Sequence, residues 1–199
     1  MTQAPASRLP AAERRRALLD AALRVFSEGS YAGATTAEIA REAGVSEPIL
    51  YRHFSSKREL YFACLEEAWS RVRARIEKSM AELGPSEGWQ AIGPATLRDL
   101  KVVVPGLWMQ AITEAGEDAE IRRFVRRHMR EVHGFFCEVL RRMQAEGTVE
   151  AERNPEAEAW IFLASSLLVA IADRLGGLLG AEDFAAIKAE RHRWLSGGG

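Results

Sequence analysis

Cysteine is scarce: the 199-residue chain has two, Cys64 and Cys137. They are too few and too far apart in sequence for a disulfide framework or a metal knot, so packing roles in a reducing cytoplasm are expected of both. Long apolar runs are missing too. The most apolar stretch, Ala159 to Ala172, is broken by Ser165 and Ser166 and falls short of the ~20 residues that cross a bilayer, which predicts a buried helix and no membrane partner. Met1 to Pro10 contains no continuous apolar run, so the core of a secretory signal is absent and residues 1–10 read as a flexible arm. No stretch holds a period of two for long, which excludes a β architecture. No nucleophile and base pair up, and no glycine-rich phosphate loop, metal-ligand spacing or carboxylate pair stands out. Catalytic residues, a cofactor and a metal are therefore not expected, and an enzyme is the weaker alternative.

Hydrophobic residues make up 47% and charged residues 28%, the balance of a globular protein with a proper core. Net charge is only -1, which argues against non-specific coating of nucleic acid. Its distribution is uneven. Residues 1–57 hold eight Lys/Arg against six Asp/Glu, and residues 58–199 hold nineteen against twenty-two, so the N-terminal part is at +2 and the remainder at -3. That asymmetry points toward DNA contact by the N-terminal part.

Apolar positions recur at three- and four-residue spacing almost everywhere, predicting an all-α chain. Leu18, Ala22, Val25 and Phe26 form the inner face of a first helix from about Ala11 to Glu28, with Gly29 placed for a left-handed cap. Thr35 and Glu38 form a capping box that opens a second helix ending before Gly44. Ser46 is a candidate cap for a third, short helix that tolerates Pro48 in its first turn and closes near Phe54. Ser56 and Glu59 repeat the box pattern and open a long helix striped by Tyr61, Leu65, Ala68, Val72, Ile76 and Met80. The Gly84-Pro85-Ser86-Glu87-Gly88 cluster breaks that pattern. Further helices are expected over Ala95–Glu114, kinked or split by Pro105, and over Asp118–Glu146, Pro155–Leu175 and Glu182–Leu195.

Residues 35–54 have helix-turn-helix spacing, with a tight turn at Gly44. Ile39, Ala40, Ala43, Val45, Leu50 and Phe54 suit a small core shared with the first helix. That leaves Glu47, Pro48, Ile49, Tyr51, Arg52 and His53 facing outward. In a major groove Arg52 suits guanine, Glu47 accepts from cytosine and Ile49 meets a thymine methyl. Tyr51, His53, Thr36 and Lys57 suit phosphates. The alternative is a generic three-helix core with a solvated polar surface.

With those residues in view, residues 11–60 resemble the DNA-binding domain of the tetracycline-repressor (TetR) family, through the run Leu50-Tyr51-Arg52-His53-Phe54 followed by Lys57 and Leu60. The resemblance implies phosphate contacts at Thr36, Tyr51, His53 and Lys57 and base contacts at Glu47, Pro48 and Ile49. It also implies a homodimer that represses a nearby operon, with an inducer pocket and dimer interface in an all-helical C-terminal domain. The expected domains are a helix-turn-helix domain at 11–56, a helical ligand-binding and dimerisation domain at 57–196, and a tail at 197–199.

In that second domain Ile121, Val125, His128, Val132, Phe135, Val139 and Met143 stripe one helix, opposite Arg122, Arg123, Arg126, Arg127 and Arg130. The arginines have Glu117, Asp118, Glu120 and Glu131 nearby, so a salt-bridged, solvated face is favoured over a second nucleic-acid surface. His128 breaks the stripe. It is either a core histidine with one satisfied hydrogen bond, the commoner outcome, or a group that orients a ligand. His128 and His133 lie five apart, off the four-residue spacing that aligns two imidazoles on a metal. Trp108, Met109 and Ile112 are candidates, with His128, Val132 and Phe135, to line a cavity for a small, largely apolar effector, though ordinary core packing serves each equally well.

The helix at 155–175 is apolar nearly all round and has small residues at Ala164, Ser165, Ala170 and Ala172. With 182–195 it is expected to build an intersubunit four-helix bundle. The expected mechanism is a dimer that sets two recognition helices in successive major grooves of a pseudo-palindromic operator. Ligand binding shifts the 56–83 helix and spoils that spacing. A DNA-binding dimer with no inducer, acting as an activator or architectural protein, is the alternative.

Overall fold

The computed structural model describes residues 10–90 and 104–197. In order these form α1 (Ala11–Glu28), α2 (Thr36–Glu42), α3 (Glu47–Tyr51), α4 (Lys57–Leu83), α5 (Pro85–Gln90), α6 (Val104–Glu114), α7 (Ala119–Ala145), α8 (Pro155–Arg174) and α9 (Ala181–Ser196). The fold is all-α, with no strand among the described residues. The chain divides into two compact units, residues 1–67 and 68–199. The division falls inside α4.

In the first unit, α1 buries Leu18, Leu19, Ala21, Ala22 and Phe26. Ile39 and Ala40 of α2, Leu50 of α3, Phe54 and Leu60 complete this core. Ala43 and Val45, expected in it, are half-buried. Phe26 meets Tyr61 edge-on at 5.0 Å, and Tyr31 lies 4.6 Å from Tyr61, so three aromatic rings fill one end. Burial on this scale, at roughly 25 cal/mol per Å² of apolar surface, holds helices as short as α2 and α3, which are too short to persist alone.

Helix ends follow the sequence in part. Thr35 accepts from the Glu38 N–H while the Glu38 carboxylate accepts from the Thr35 N–H, completing the expected box. Gly29 departs from expectation: its φ of -116° is not left-handed, although its N–H does reach the Val25 carbonyl. In this unit the left-handed conformation falls instead on Gly44 in the α2–α3 turn, at φ 68°. Ser46 flanks α3 but its hydroxyl caps nothing. Pro48 has no N–H to offer, and the Ile49 N–H is taken by the Ser46 backbone carbonyl at 2.9 Å. At the start of α4 the box is displaced by one residue. Ser56 accepts from the Glu59 N–H at 3.1 Å, but the Glu59 carboxylate accepts from the N–H of Ser55 at 2.7 Å.

In the second unit Ala68, Val72, Ile76 and Met80 of α4 are buried, as expected. The Gly84–Gly88 cluster does end α4, yet it winds into α5 instead of remaining a loop. A Cβ on Gly88 would meet the Met80 backbone at 2.5 Å, so only glycine permits this close return. The stretch expected to be helical from Ala95 lies outside the described residues before Val104, whereas Pro105, expected to kink or split that helix, falls in the first turn of α6, where a missing N–H costs nothing. The buried face of α7 is wider than the predicted stripe, adding Phe124, Phe136, Cys137 and Leu140. Phe135 is only half-buried. Asp118 caps α7 by accepting from the N–H groups of Glu120 and Ile121 at 2.7 and 3.1 Å. Helices α6, α7 and α8 pack on one another, whereas α9 buries no residue.

Candidate nucleic-acid interface

The turn at Gly44 lets α3 leave α2 with Leu50 driven into the core and the rest of its surface free. Pro48, Tyr51 and Arg52 are exposed, and Glu47, Ile49 and His53 are half-buried. Tyr51 keeps 48% of its surface, a large value for an aromatic residue on a five-residue helix. All the residues expected to meet DNA belong to this first unit.

Three of them touch. The Thr36 hydroxyl, on the first residue of α2, donates to the Glu47 carboxylate on the first residue of α3. The same hydroxyl oxygen lies 3.1 Å from the Tyr51 hydroxyl. Thr36 is itself 9% exposed, so this linkage sits where α2 crosses α3.

Lys57 serves a purpose that its sequence position did not reveal. Its Nζ donates to the Tyr31 carbonyl at 2.8 Å and the Ala34 carbonyl at 3.0 Å, and it stands 4.6 Å above the Tyr31 ring. Two of its three protons are thus committed to the α1–α2 loop. Tyr31 and Lys57 are 26 positions apart, and no local pattern joins them. Arg24 pairs with Glu42 at 3.0 Å between exposed side chains and adds little.

In the second unit the effector candidates divide into groups. His128 is 2% exposed and lies between two rings, parallel to Trp108 at 5.1 Å and to Phe124 at 5.5 Å. Its Nδ1 is 3.8 Å from the Glu131 carboxylate, and its Nε2 has no hydrogen-bond partner among the described residues. Burial pushes the imidazole pKa down, the nearby Glu131 carboxylate opposes that, and Arg127 assists it, leaving the ring neutral at pH 7. Val132 is buried one turn on. Met109 is half-buried and Ile112 is 39% exposed. Phe135 makes its ring contacts with Trp69 at 5.3 Å and Phe136 at 5.4 Å, under the Arg73 guanidinium. It also lines a charged groove with Arg73, Glu77, Glu131, Glu138 and Arg142. Only Trp108 and His128 of the six are joined by a ring contact.

The arginine face of α7 behaves as a solvated surface. Arg123 is 3.9 Å from Glu120, and Arg122 donates to the Ala115 and Gly116 carbonyls at the end of α6. No group of histidine, cysteine and carboxylate side chains suits a metal among the described residues. Cys64 and Cys137 are both buried and reduced. No helix among the described residues is long and apolar enough to cross a membrane.

The surface of α8 and α9 is unusual. Trp160, Ile161, Leu168, Ile171, Leu175 and Trp194 are exposed together on it. The sequence pointed to small residues on this helix; the large ones carry the feature, and the all-round apolarity of 155–175 was their signal.

Residues 18–64 match the family profile for bacterial regulatory proteins of the tetR family. The chain is 57% identical to the HTH-type transcriptional activator FasR of Mycolicibacterium smegmatis over 74 residues, 37% of this chain and 34% of that protein. It is 32% identical to the HTH-type transcriptional regulator BetI of Rhizobium meliloti over 115 residues, 56% of this chain and 57% of that one. The chain therefore spans about a third of the length of the first relative and somewhat over half of the second. Its fold is similar to that of the regulatory protein TetR from Rhodobacter sphaeroides, with a TM-score of 0.73 and 17% identity across 91% of this chain and 98% of that one. These relatives are regulators, not enzymes.

Proposed function

The chain belongs to the tetR family of bacterial regulatory proteins through its helix-turn-helix, and from that premise we propose that it is a dimeric, cytoplasmic, sequence-specific repressor released from its operator by a small, largely apolar ligand. The observation that carries the DNA half is α3 itself. Its core side chain Leu50 is sealed while Pro48, Tyr51 and Arg52 stand exposed beside Glu47 and Ile49, so a short helix is spent almost wholly on an outside partner. Glu47, Pro48, Ile49 and Arg52 meet base edges, and Thr36, Tyr51 and His53 meet phosphates. Lys57 fixes the α1–α2 loop and has one proton left for a phosphate.

Dimerisation is supported by the apolar side chains exposed on α8 and α9, which a second copy related by a two-fold axis would bury. Ligand sensing is supported by the unsatisfied Nε2 of His128 between Trp108 and Phe124, a buried acceptor or donor that a polar end of an otherwise apolar molecule would satisfy. For release, the ligand must favour the state whose recognition helices are wrongly spaced by a few kcal/mol, transmitted along α4, the helix shared by the two units.

A second reading has its own support: the FasR relative is a transcriptional activator, and by that reading binding here recruits transcription. Selection of duplexes from a random pool by the full-length protein, repeated with a panel of metabolites, tests the proposal. A two-fold symmetric site and its loss with an apolar metabolite are expected; retention with every compound removes the ligand half. Transcription from that site with and without the protein separates repression from activation.

A further inference from the structure

Thr36, Glu47 and Tyr51 form a hydrogen-bond chain whose direction is fixed by counting protons. A carboxylate only accepts, so the Thr36 hydroxyl must donate to Glu47. A hydroxyl has one proton. In the 3.1 Å contact between the two hydroxyls Tyr51 must therefore be the donor and Thr36 the acceptor. The chain runs from Tyr51 through Thr36 to Glu47, and both protons point along it. What the pair presents outward is lone pairs and, beside them, a carboxylate.

A DNA phosphate is also acceptor-only and negatively charged. It can take the Tyr51 proton only at the cost of the bond to Thr36, the Thr36 proton is held by Glu47, and the Glu47 charge repels it meanwhile. The major-groove edge offers Glu47 another partner, the exocyclic amino group of cytosine or adenine, which is a donor. Once the carboxylate leaves Thr36 for such a group, Thr36 can turn its proton to the Tyr51 oxygen or to a phosphate, and Tyr51 can donate to a phosphate with no bond lost.

We propose that Glu47 is a latch on the Thr36 and Tyr51 hydroxyls, withholding both from phosphate until a base-edge amino group in the groove draws the carboxylate away. Phosphate grip thereby becomes conditional on the base beneath α3. The latch rests on the DNA-binding reading above and assigns Glu47 a specificity role that base contact alone does not give. A residue that merely reads a base adds affinity for the operator. A latch also subtracts affinity for every other duplex.

The test uses the full-length wild type, Glu47→Gln, Glu47→Ala and the double variant Glu47→Ala with Tyr51→Phe. The probes are a pool of random-sequence duplexes and the operator that the wild type selects. The latch predicts that Glu47→Ala binds the random pool tighter by about three- to tenfold, the worth of one released hydrogen bond, and that Glu47→Gln, which keeps an acceptor for Thr36 and loses only the charge, gains less. The slope of log affinity against log salt should steepen by up to about 0.9, as one further phosphate is effectively neutralised. Neither variant should gain on the operator, so discrimination narrows, and adding Tyr51→Phe should cancel the gain on random DNA. Should Glu47→Ala unfold, Glu47→Leu, which keeps the bulk and removes the acceptor, is measured in its place. Random-pool affinity that is unchanged or weaker in the variants, while the wild type holds its operator, overturns the latch and spares the DNA-binding reading. A wild type that retains no duplex overturns both.

Discussion

The indole N–H of Trp194 donates to the Glu158 carboxylate at 2.9 Å, joining two residues 36 positions apart. Arg191 donates to the other oxygen of the same carboxylate, and Arg153 stands 3.8 Å above the Trp194 ring. These polar contacts, with the Glu150 N–H donating to the Leu195 carbonyl at 2.9 Å, hold α9, which has no buried apolar residue to hold it. Glu158 is 6% exposed, so removing it strands Arg191 and the indole N–H. Glu158→Ala should cost about 1–3 kcal/mol. It should also weaken self-association without altering the apolar surface, as sedimentation at falling concentration would reveal.

Acid should act at the same place. Burial pushes the Glu158 pKa up, but the hydrogen bonds from Arg191 and Trp194, with the charges of Arg191 and Arg153, outweigh it and hold the group below the usual range. The folded value lies below the unfolded one, so the stabilisation is complete above the unfolded pKa of about 4.3 and is lost as pH falls through the folded value. Loosening of α9 as pH falls below the unfolded value of about 4.3 is the expected outcome, read from the part of the tryptophan fluorescence change that Trp194→Phe abolishes, and Glu158→Gln should remove that pH dependence.

His128 titrates in the same sense for a different reason. Its folded pKa is depressed, first by burial, so its neutral form stabilises the fold above the unfolded value of about 6.5, and that contribution falls away as pH drops toward the folded value. His128→Phe keeps a ring between Trp108 and Phe124 and deletes the orphaned Nε2. Urea unfolding should then show a gain of about 1–3 kcal/mol at pH 7 and a flatter profile down to pH 5. If effector release of DNA persists in this variant, His128 is a core residue and nothing more.

Lys57 separates two roles in one measurement. As a loop anchor, its loss in Lys57→Met leaves the Tyr31 and Ala34 carbonyls without that donor and should lower stability by about 1–3 kcal/mol. As a phosphate contact, its loss should flatten the salt slope of DNA binding by roughly 0.9. A lowered melting temperature with an unchanged salt slope would assign it to the loop alone.

Helix ends and cores were legible where they depend on neighbours in sequence. The Thr35–Glu38 box, the turn at Gly44 and the α4 stripe from Tyr61 to Met80 all follow from periodicity and local hydrogen bonding. What escaped is what depends on distant chain segments. Gly29 stands where a left-handed cap is expected, but its own φ is -116°. A local rule also fails at Ser46, whose hydroxyl caps nothing because Pro48 has no N–H and the Ile49 N–H goes to the Ser46 carbonyl. In the candidate site the residues are nameable from the helix-turn-helix pattern, yet the links among Thr36, Glu47 and Tyr51 require the crossing of α2 and α3. Phe135 shared a stripe with His128 on paper, and in the fold its ring contacts are with Trp69 and Phe136.

The exposed face of α8 gives the most direct test of assembly. Leu168 and Ile171 are each 37% exposed, three positions apart on one helix, and Leu175 follows one turn later at 64%. An apolar row of this length facing water costs free energy in a lone copy, roughly 25 cal/mol for each Å² left wet, and burial against a second copy recovers it. A charge on that row should therefore stabilise the lone chain in water while destroying the paired one. Ile171→Glu should stay folded, elute as a monomer and lose operator binding by orders of magnitude, because one recognition helix alone forfeits the second half-site. A variant that remains dimeric and keeps full operator affinity would move the interface elsewhere on the chain.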